Sequence, residues 1–399
     1  MRSWTRPKVP SLEGHGPIPR VRDTASGALV EAGDASLYVC GITPYDATHI
    51  GHASTYLAFD TLVRLWLDAG LTVRFTENVT DIDDPLLERA TATSVDWRDL
   101  AAREIDRFRG DMQALRLVPP TEFVAVTDEI GPVGDAVSIL LDHGSAYRVE
   151  NDIYFDIAAS AGPWRLGAVS GLDRDEMLAL SAERGGDPER EGKRDPLDPL
   201  LWRGARPGEP SWPSAVGHGR PGWHIECTVI AERTLGVPFG VNGGGADLVF
   251  PHHEFTEAHT GALTGTRHAT AHVHTGLVSY RGEKISKSLG NLVLVSTLVD
   301  SGVDPRAIRL AVLAQHYRDD WEWTDEVLAT GQQRLERWLA WAIGGGGTRM
   351  SLVAELRSSL SADLGTPAAI AAVDERVASA ESPSATELDA IDALLGLRL

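Results

Sequence analysis

Three short stretches carry the side chains best suited to chemistry. Residues 38–53 read YVCGITPYDATHIGHA, in which Cys40 precedes a Gly-Ile-Thr-Pro turn and the tetrapeptide His49-Ile50-Gly51-His52. PGWHIEC ends at Cys227, and His252 follows 25 positions later in FPHHE. KISKS, residues 284–288, holds Lys284 and Lys287, two of the four lysines in the chain. Cys40 and Cys227 are the only cysteines. Two thiolates and an imidazole form a donor set that suits zinc, and three protein ligands leave a fourth position for a substrate. A substrate thiol would fill it better than a hydroxyl, which is a poorer ligand and harder to deprotonate. Spacing alone is equally compatible with two buried, inert thiols that never meet. The histidines of HIGH enter a helix, whose N-terminal N–H groups and partial positive charge favour a phosphate chain. The lysines add compact ammonium groups that neutralise charge on a transferring phosphorus.

These side chains need a frame. Leu37–Cys40 reads as a buried strand and His52–Ala69 as a helix of mostly apolar spacing that stops at Gly70; Thr72–Val79 reads as a second strand. Strand, turn, helix, strand is a βαβ unit, the seed of a parallel sheet. The expected organisation has five parts. Residues 1–118 form an N-terminal extension and the first half of a Rossmann-type catalytic domain. Residues 119–218 form a connective insertion, with a helix near 125–143, a strand-like stretch at 146–157 and the polar run AERGGDPEREGKRDP. Residues 219–290 form the second half with the KISKS loop, 291–342 a helical stem, and 343–399 a short helical C-terminal region entered through the flexible GGGG at 344–347.

Composition narrows the class of function. The chain has 399 residues, 43% hydrophobic and 24% charged, as in an ordinary soluble globular protein. It shows neither a secretory start nor an apolar run of about eighteen residues, so no membrane partner is expected. Two cysteines make no disulfide framework, and a cytoplasmic monomer is expected. The net charge of −20 weighs against a nucleic-acid partner. From Trp321 onward six arginines face twelve acids, with no lysine, where an anticodon-binding domain should present a basic face.

HIGH followed at a distance by KISKS resembles the class I aminoacyl-tRNA synthetase catalytic core, an α/β fold of the Rossmann (HUP) type that activates a carboxylate with ATP. CGITPYDATHIGHA, NVTDIDD, GEPSWPS, RPGWHIEC, GGGADLVFPHHE and KISKSLGN, in this order, resemble the cysteinyl-tRNA synthetases over roughly residues 37–325. That resemblance implies one zinc ion on Cys40, Cys227 and His252, holding the sulfur of L-cysteine. It implies that Thr43, His49 and His52 serve the adenylate, with Gly41, Ile42, Thr55, Asn78, Gly245 and Val278 around it. It also implies Thr80 at the cysteine amino group, Trp223 closing the amino-acid pocket, Asp247 on the ribose, and Lys284 and Lys287 on the phosphates of ATP with its Mg²⁺. Thr256 stands where those synthetases commonly place a glutamate. CGITPYD replaces their CGPTVYD, and AERGGDPER is foreign to them. These departures are similar to the cysteine ligases of mycothiol biosynthesis, nearly end to end. That implies an AMP-forming ligase joining L-cysteine to the amine of glucosaminyl-inositol, with Asp247 as the candidate base and ERGGDP as part of the acceptor surface. A cysteinyl-tRNA synthetase is the alternative; a non-catalytic binding homologue would have no chemical need of intact HIGH, KISKS and zinc donors.

Overall fold

Five parallel strands set the frame of the molecule. The computed structural model describes residues 1–45, 48–159, 164–284, 292–379 and 381–399. The strands lie in the order Ala269–Thr275, Phe239–Gly245, Ser36–Val39, Arg74–Val79, Glu122–Ala125. In chain order the sheet starts at its centre, runs to one edge, and resumes on the other side. The order therefore reverses between Ser36–Val39 and Phe239–Gly245, where a doubly wound sheet opens a crevice at the carboxyl ends of its strands. The central strand SLYV is buried at all four positions, as a strand covered on both faces must be.

The helix Ile50–Asp68 follows the central strand and crosses behind it. It starts two residues before the expected His52, because the His49 side chain accepts the N–H of His52 and caps the first turn. Helix and sheet approach closely at Gly243, where a Cβ would stand 2.4 Å from the Phe59 ring. Only a glycine allows that contact.

Three elements depart from expectation. Glu122–Ala125 pairs with Arg74–Val79 as the edge of the central sheet, so the first half of that sheet runs past residue 118. A four-residue strand behind two prolines has too short a pattern to announce itself. The insertion carries its own antiparallel sheet, in the order Ala146–Val149, Asp152–Phe155, Leu200–Gly204, Gly219–Pro221. Its last strand therefore lies beyond the expected boundary at 218. Within the expected helical stem, Trp321–Trp323 is a strand that pairs with Val278–Tyr280.

After helix Asp325–Ala342, three short helices follow: Ser351–Ser361, Thr366–Ala378 and Ala385–Leu395. The GGGG segment before them is tied at one end, Gly347 N–H donating to the Pro383 carbonyl at 2.9 Å. The C-terminal helix packs against the back of Ile50–Asp68. There Arg64 and Arg309, both buried, converge on Asp60. Arg64 also donates to the carbonyls of Asp392 and Ala393, and Arg309 to that of Leu395. Buried guanidinium groups thus satisfy carbonyls that a helix end leaves without partners.

Candidate active site and metal centre

Cys40 leaves the carboxyl end of the central strand. Cys227 lies on helix Trp223–Leu235, and His252 in the turn after strand Phe239–Gly245. The fold brings these three together: their sulfur and nitrogen ligand atoms all lie within 4.8 Å of one another. Burial raises the Cys40 thiol, and its bond to Cys227 raises it further. Cys227 is also buried, yet the Cys40 thiol and His252 on its sulfur pull it well below the usual thiol value. His252 Nδ1 lies 3.0 Å from His224 Nδ1, which burial keeps neutral and able to accept. The other nitrogen, Nε2, is buried without a hydrogen-bond partner among the described residues. A buried imidazole nitrogen left bare beside two thiols fits a metal, and two sulfurs with one nitrogen fit zinc. Thr256 turns its hydroxyl to the His253 carbonyl at 3.1 Å.

A second shell backs the donors. His253 Nε2 stands 3.2 Å from Cys40 Sγ, and its Nδ1 stands 2.7 Å from His274 Nε2. His274 Nδ1 in turn meets the Thr24 hydroxyl at 2.7 Å. Neutral rings in this row must pass their hydrogen bonds in a single sense, which runs from Thr24 toward Cys40 when that sulfur is a thiolate. Burial holds both rings neutral, His274 down to about 3. Glu254, two residues past His252, is fully buried and gathers the loop 164–170. Its carboxylate accepts from Trp164 Nε1, the backbone N–H groups of residues 167–170 and the Ser170 hydroxyl.

The remaining expected residues fall into two groups. Beside the cysteines, Gly41 N–H donates to Asn78 Oδ1 at 3.0 Å, and the Asn78 amide donates to Thr80 Oγ1 at 3.2 Å. Thr80 N–H donates to the Ile42 carbonyl, and its hydroxyl points at buried Glu226. Gly41 is obligatory, because a Cβ would stand 1.6 Å from the Asn78 carbonyl oxygen. At the HIGH end, the His49 and His52 rings stack with centroids 3.8 Å apart. Burial holds His52 down at about 4, against the pull of Asp247, so its ring is neutral. Thr55 bonds Thr275 at 2.8 Å and flanks Gly245 and the Asp247 carboxylate. Val278 stands beside Gly51. Trp223 lies against His252, ring centroids 4.5 Å apart. With Thr43 it lines a cavity of about 680 Å³ that residues 183–187 of the ERGGDP turn also line. Lys284 ends a short strand, Glu283–Lys284, paired with Val278–Tyr280; Lys287 lies outside the described residues.

Sequence reasoning missed His224, His253, Glu254 and Glu226. All four sit inside motifs that were visible, but one-dimensional spacing does not say which of two adjacent histidines faces a thiol.

Comparison with known proteins bears on the family and the fold. The family described as tRNA synthetases class I (C) catalytic domain matches residues 27–333. A curated relative from Clavibacter michiganensis subsp. michiganensis, L-cysteine:1D-myo-inositol 2-amino-2-deoxy-alpha-D-glucopyranoside ligase, is 58% identical over 100% of this chain and 99% of its own length. Its namesake from Cellulomonas flavigena is 56% identical over 100% of both chains. The chain belongs to this ligase family. It is an AMP-forming ligase with a class I synthetase domain. Among solved structures, Mycobacterium tuberculosis methionyl-tRNA synthetase with methionyl-adenylate has a TM-score of 0.59 at 17% identity, covering 90% of this chain and 88% of its own. The LeuRS of Agrobacterium radiobacter K84, in a ternary complex, has a TM-score of 0.62 at 12% identity, covering 91% and 82%. These share the fold, as the sheet order anticipates. No helix among the described residues is long and apolar enough to cross a membrane.

Proposed function

We propose that the protein joins L-cysteine to the amine of glucosaminyl-inositol through a cysteinyl adenylate, releasing pyrophosphate and then AMP. The observation that carries this reading is the meeting of Cys40, Cys227 and His252 beside Trp223, which itself lines a cavity large enough for a disaccharide-sized polyol. Bound zinc would supply a Lewis acid that keeps a substrate thiol deprotonated and in place. Cys40, Cys227 and His252 Nε2 would hold it, with His224 and His253 orienting the donors.

In the first half-reaction the amino group of cysteine rests on Thr80, beside Glu226, and the carboxylate points toward the HIGH helix. Neutral His52 and the first helical turn donate to the phosphates, while Lys284 and Lys287 offset charge on the transferring phosphorus. Asp247 receives the ribose. In the second half-reaction the amino sugar enters the cavity, and its neutral amine attacks the activated carbonyl. Asp247 is our candidate to take the proton released there. No nucleic acid takes part, in keeping with the acidic C-terminal region. The protein acts as a cytoplasmic monomer.

A single-turnover chase tests the reading. Labelled cysteinyl adenylate is formed on the enzyme, then challenged with glucosaminyl-inositol or with tRNA. Rapid consumption by the amino sugar alone is expected; transfer to tRNA alone would make the protein a cysteinyl-tRNA synthetase instead. An Asp247→Asn variant that ran the second step at full rate would remove Asp247 from the role of base.

A further inference from the structure

The ERGGDP turn looks from the sequence like a polar loop offered to the acceptor. Its geometry gives Arg184 another task. Helix Arg174–Glu183 ends at Arg184, and Gly185 takes a positive φ of +82°. Gly186 N–H then bonds the Ser181 carbonyl at 2.7 Å. A Cβ on Gly186 would stand 2.2 Å from Ser181 Oγ, so this reversal needs both glycines. The turn sends Arg184 and Asp187 to different partners. Asp187 accepts from the Tyr154 hydroxyl at 2.5 Å and from Lys193 Nζ at 2.9 Å, which pins the turn to the insertion's own sheet. Arg184 reaches out of the insertion. Its Nη1 donates to the Asp247 carbonyl at 2.7 Å and to the Phe250 carbonyl at 2.5 Å.

Those two carbonyls bracket the segment that joins the halves of the active site. Asp247 stands at its nucleotide end, beside Gly245 and Thr55, and His252 stands two residues beyond Phe250 with the thiols. Between them the backbone passes from a 3-10 turn, Ala246–Leu248, through an extended Phe250 (φ −137°, ψ 133°). Such a change of direction leaves carbonyls without regular partners, and a guanidinium with several donors suits two of them at once.

We propose that Arg184 is a positioning residue. From the insertion, it fixes the Asp247–His252 segment and so sets the register between the nucleotide-side carboxylate and the sulfur-side imidazole. It lines the acceptor cavity, yet its Nη1 group is committed to two protein carbonyls. The cost of losing it therefore falls on adenylate formation and metal retention, not on acceptor binding.

This inference rests on the ligase reading. Cysteine-dependent ATP–pyrophosphate exchange by the unaltered protein checks that reading first, since its absence would fail the reading before any variant is compared. Arg184→Met and Arg184→Lys are then measured for exchange, for zinc retention against a chelator, for acceptor KM in the full reaction, and for Tm. For Arg184→Met, which loses two charge-assisted hydrogen bonds, the KM for ATP should rise about tenfold or more. Zinc should be surrendered at lower chelator concentration, with the acceptor KM unchanged. Arg184→Lys keeps the charge and can serve one carbonyl, so it should recover part of both losses. A rise in acceptor KM with exchange and zinc unchanged would overturn the proposal and make Arg184 an acceptor contact. A lowered Tm for Arg184→Met, with its exchange and zinc retention equal to wild type, would reduce Arg184 to a structural strut and equally overturn it.

Discussion

Replacing Glu254 by glutamine should open the loop 164–170 while leaving the rest of the fold assembled. The carboxylate takes three N–H donors on Oε1, from Trp164 Nε1, Gly167 and Ala168 at 2.8–3.1 Å. On Oε2 it takes the N–H groups of Val169 and Ser170 and the Ser170 hydroxyl at 2.9–3.2 Å. A carboxamide keeps one of these oxygens and turns an NH₂ toward the other set. The hydroxyl can rotate to accept, but the two backbone N–H groups cannot. Each stranded donor costs about 1–3 kcal/mol, so the pair costs about 4 kcal/mol. With an unfolding entropy of about 2.1 cal/mol/K per residue, that corresponds to a Tm lowered by about 5 °C. Because the donors belong to one loop, the loss should appear first as local opening. Hydrogen exchange resolved over residues 164–172, read beside a thermal melt, is the assay. Unchanged protection in that segment and a Tm within about 1 °C of the parent would refute the reasoning, because the loop would then be held by something other than this carboxylate.

Asp60→Asn removes the carboxylate shared by the buried Arg64 and Arg309 and should destabilise the protein by about 3–5 kcal/mol in urea unfolding; a change under about 1 kcal/mol would mean the helix carbonyls alone satisfy both guanidiniums. Cys40→Ser and Cys227→Ser should each copurify with far less than the one equivalent of zinc expected of the parent by elemental analysis, and full cysteine activation by metal-free protein would sink the zinc assignment. Asp111 has its carboxyl pushed up to about 7, chiefly by burial. Its folded value exceeds its unfolded one, so the folded state binds the extra proton; the stability it contributes is complete below about pH 4 and fades as pH rises through about 7. Asp111→Asn should therefore gain on the parent in Tm as pH rises across that window, and a pH-independent difference would show that burial does not govern this group.

The chemistry was more legible in the sequence than the scaffold around it. Cys40, Cys227 and His252 could be proposed as a set because they are rare residue types in short motifs, and the sheet order brings them together. The βαβ unit was readable because Ile50–Asp68 is long and periodic. Glu122–Ala125 and Trp321–Trp323 were not, since strands of four and three residues carry almost no period and take their conformation from the strand beside them. Charged side chains that act inside the protein were the least legible. Glu254 and Arg184 look like surface residues until folding surrounds the first with N–H groups and sets the second against two carbonyls. Their partners lie 60 to 90 positions away, beyond the reach of any local pattern.

The junction behind the HIGH helix also bears on how the protein comes into being. Arg64 finds the Asp392 carbonyl 328 positions further along the chain, and Arg309 finds that of Leu395 86 positions on. As the polypeptide is synthesised from its amino end, helix Ile50–Asp68 emerges well before either partner, with Asp60 one turn away to meet its buried arginine. The back of that helix is then left incompletely packed until helix Ala385–Leu395 has been made to cover it. Closing this junction is thus a long-range step, in which two helices more than three hundred positions apart must meet before either buried arginine is fully paired.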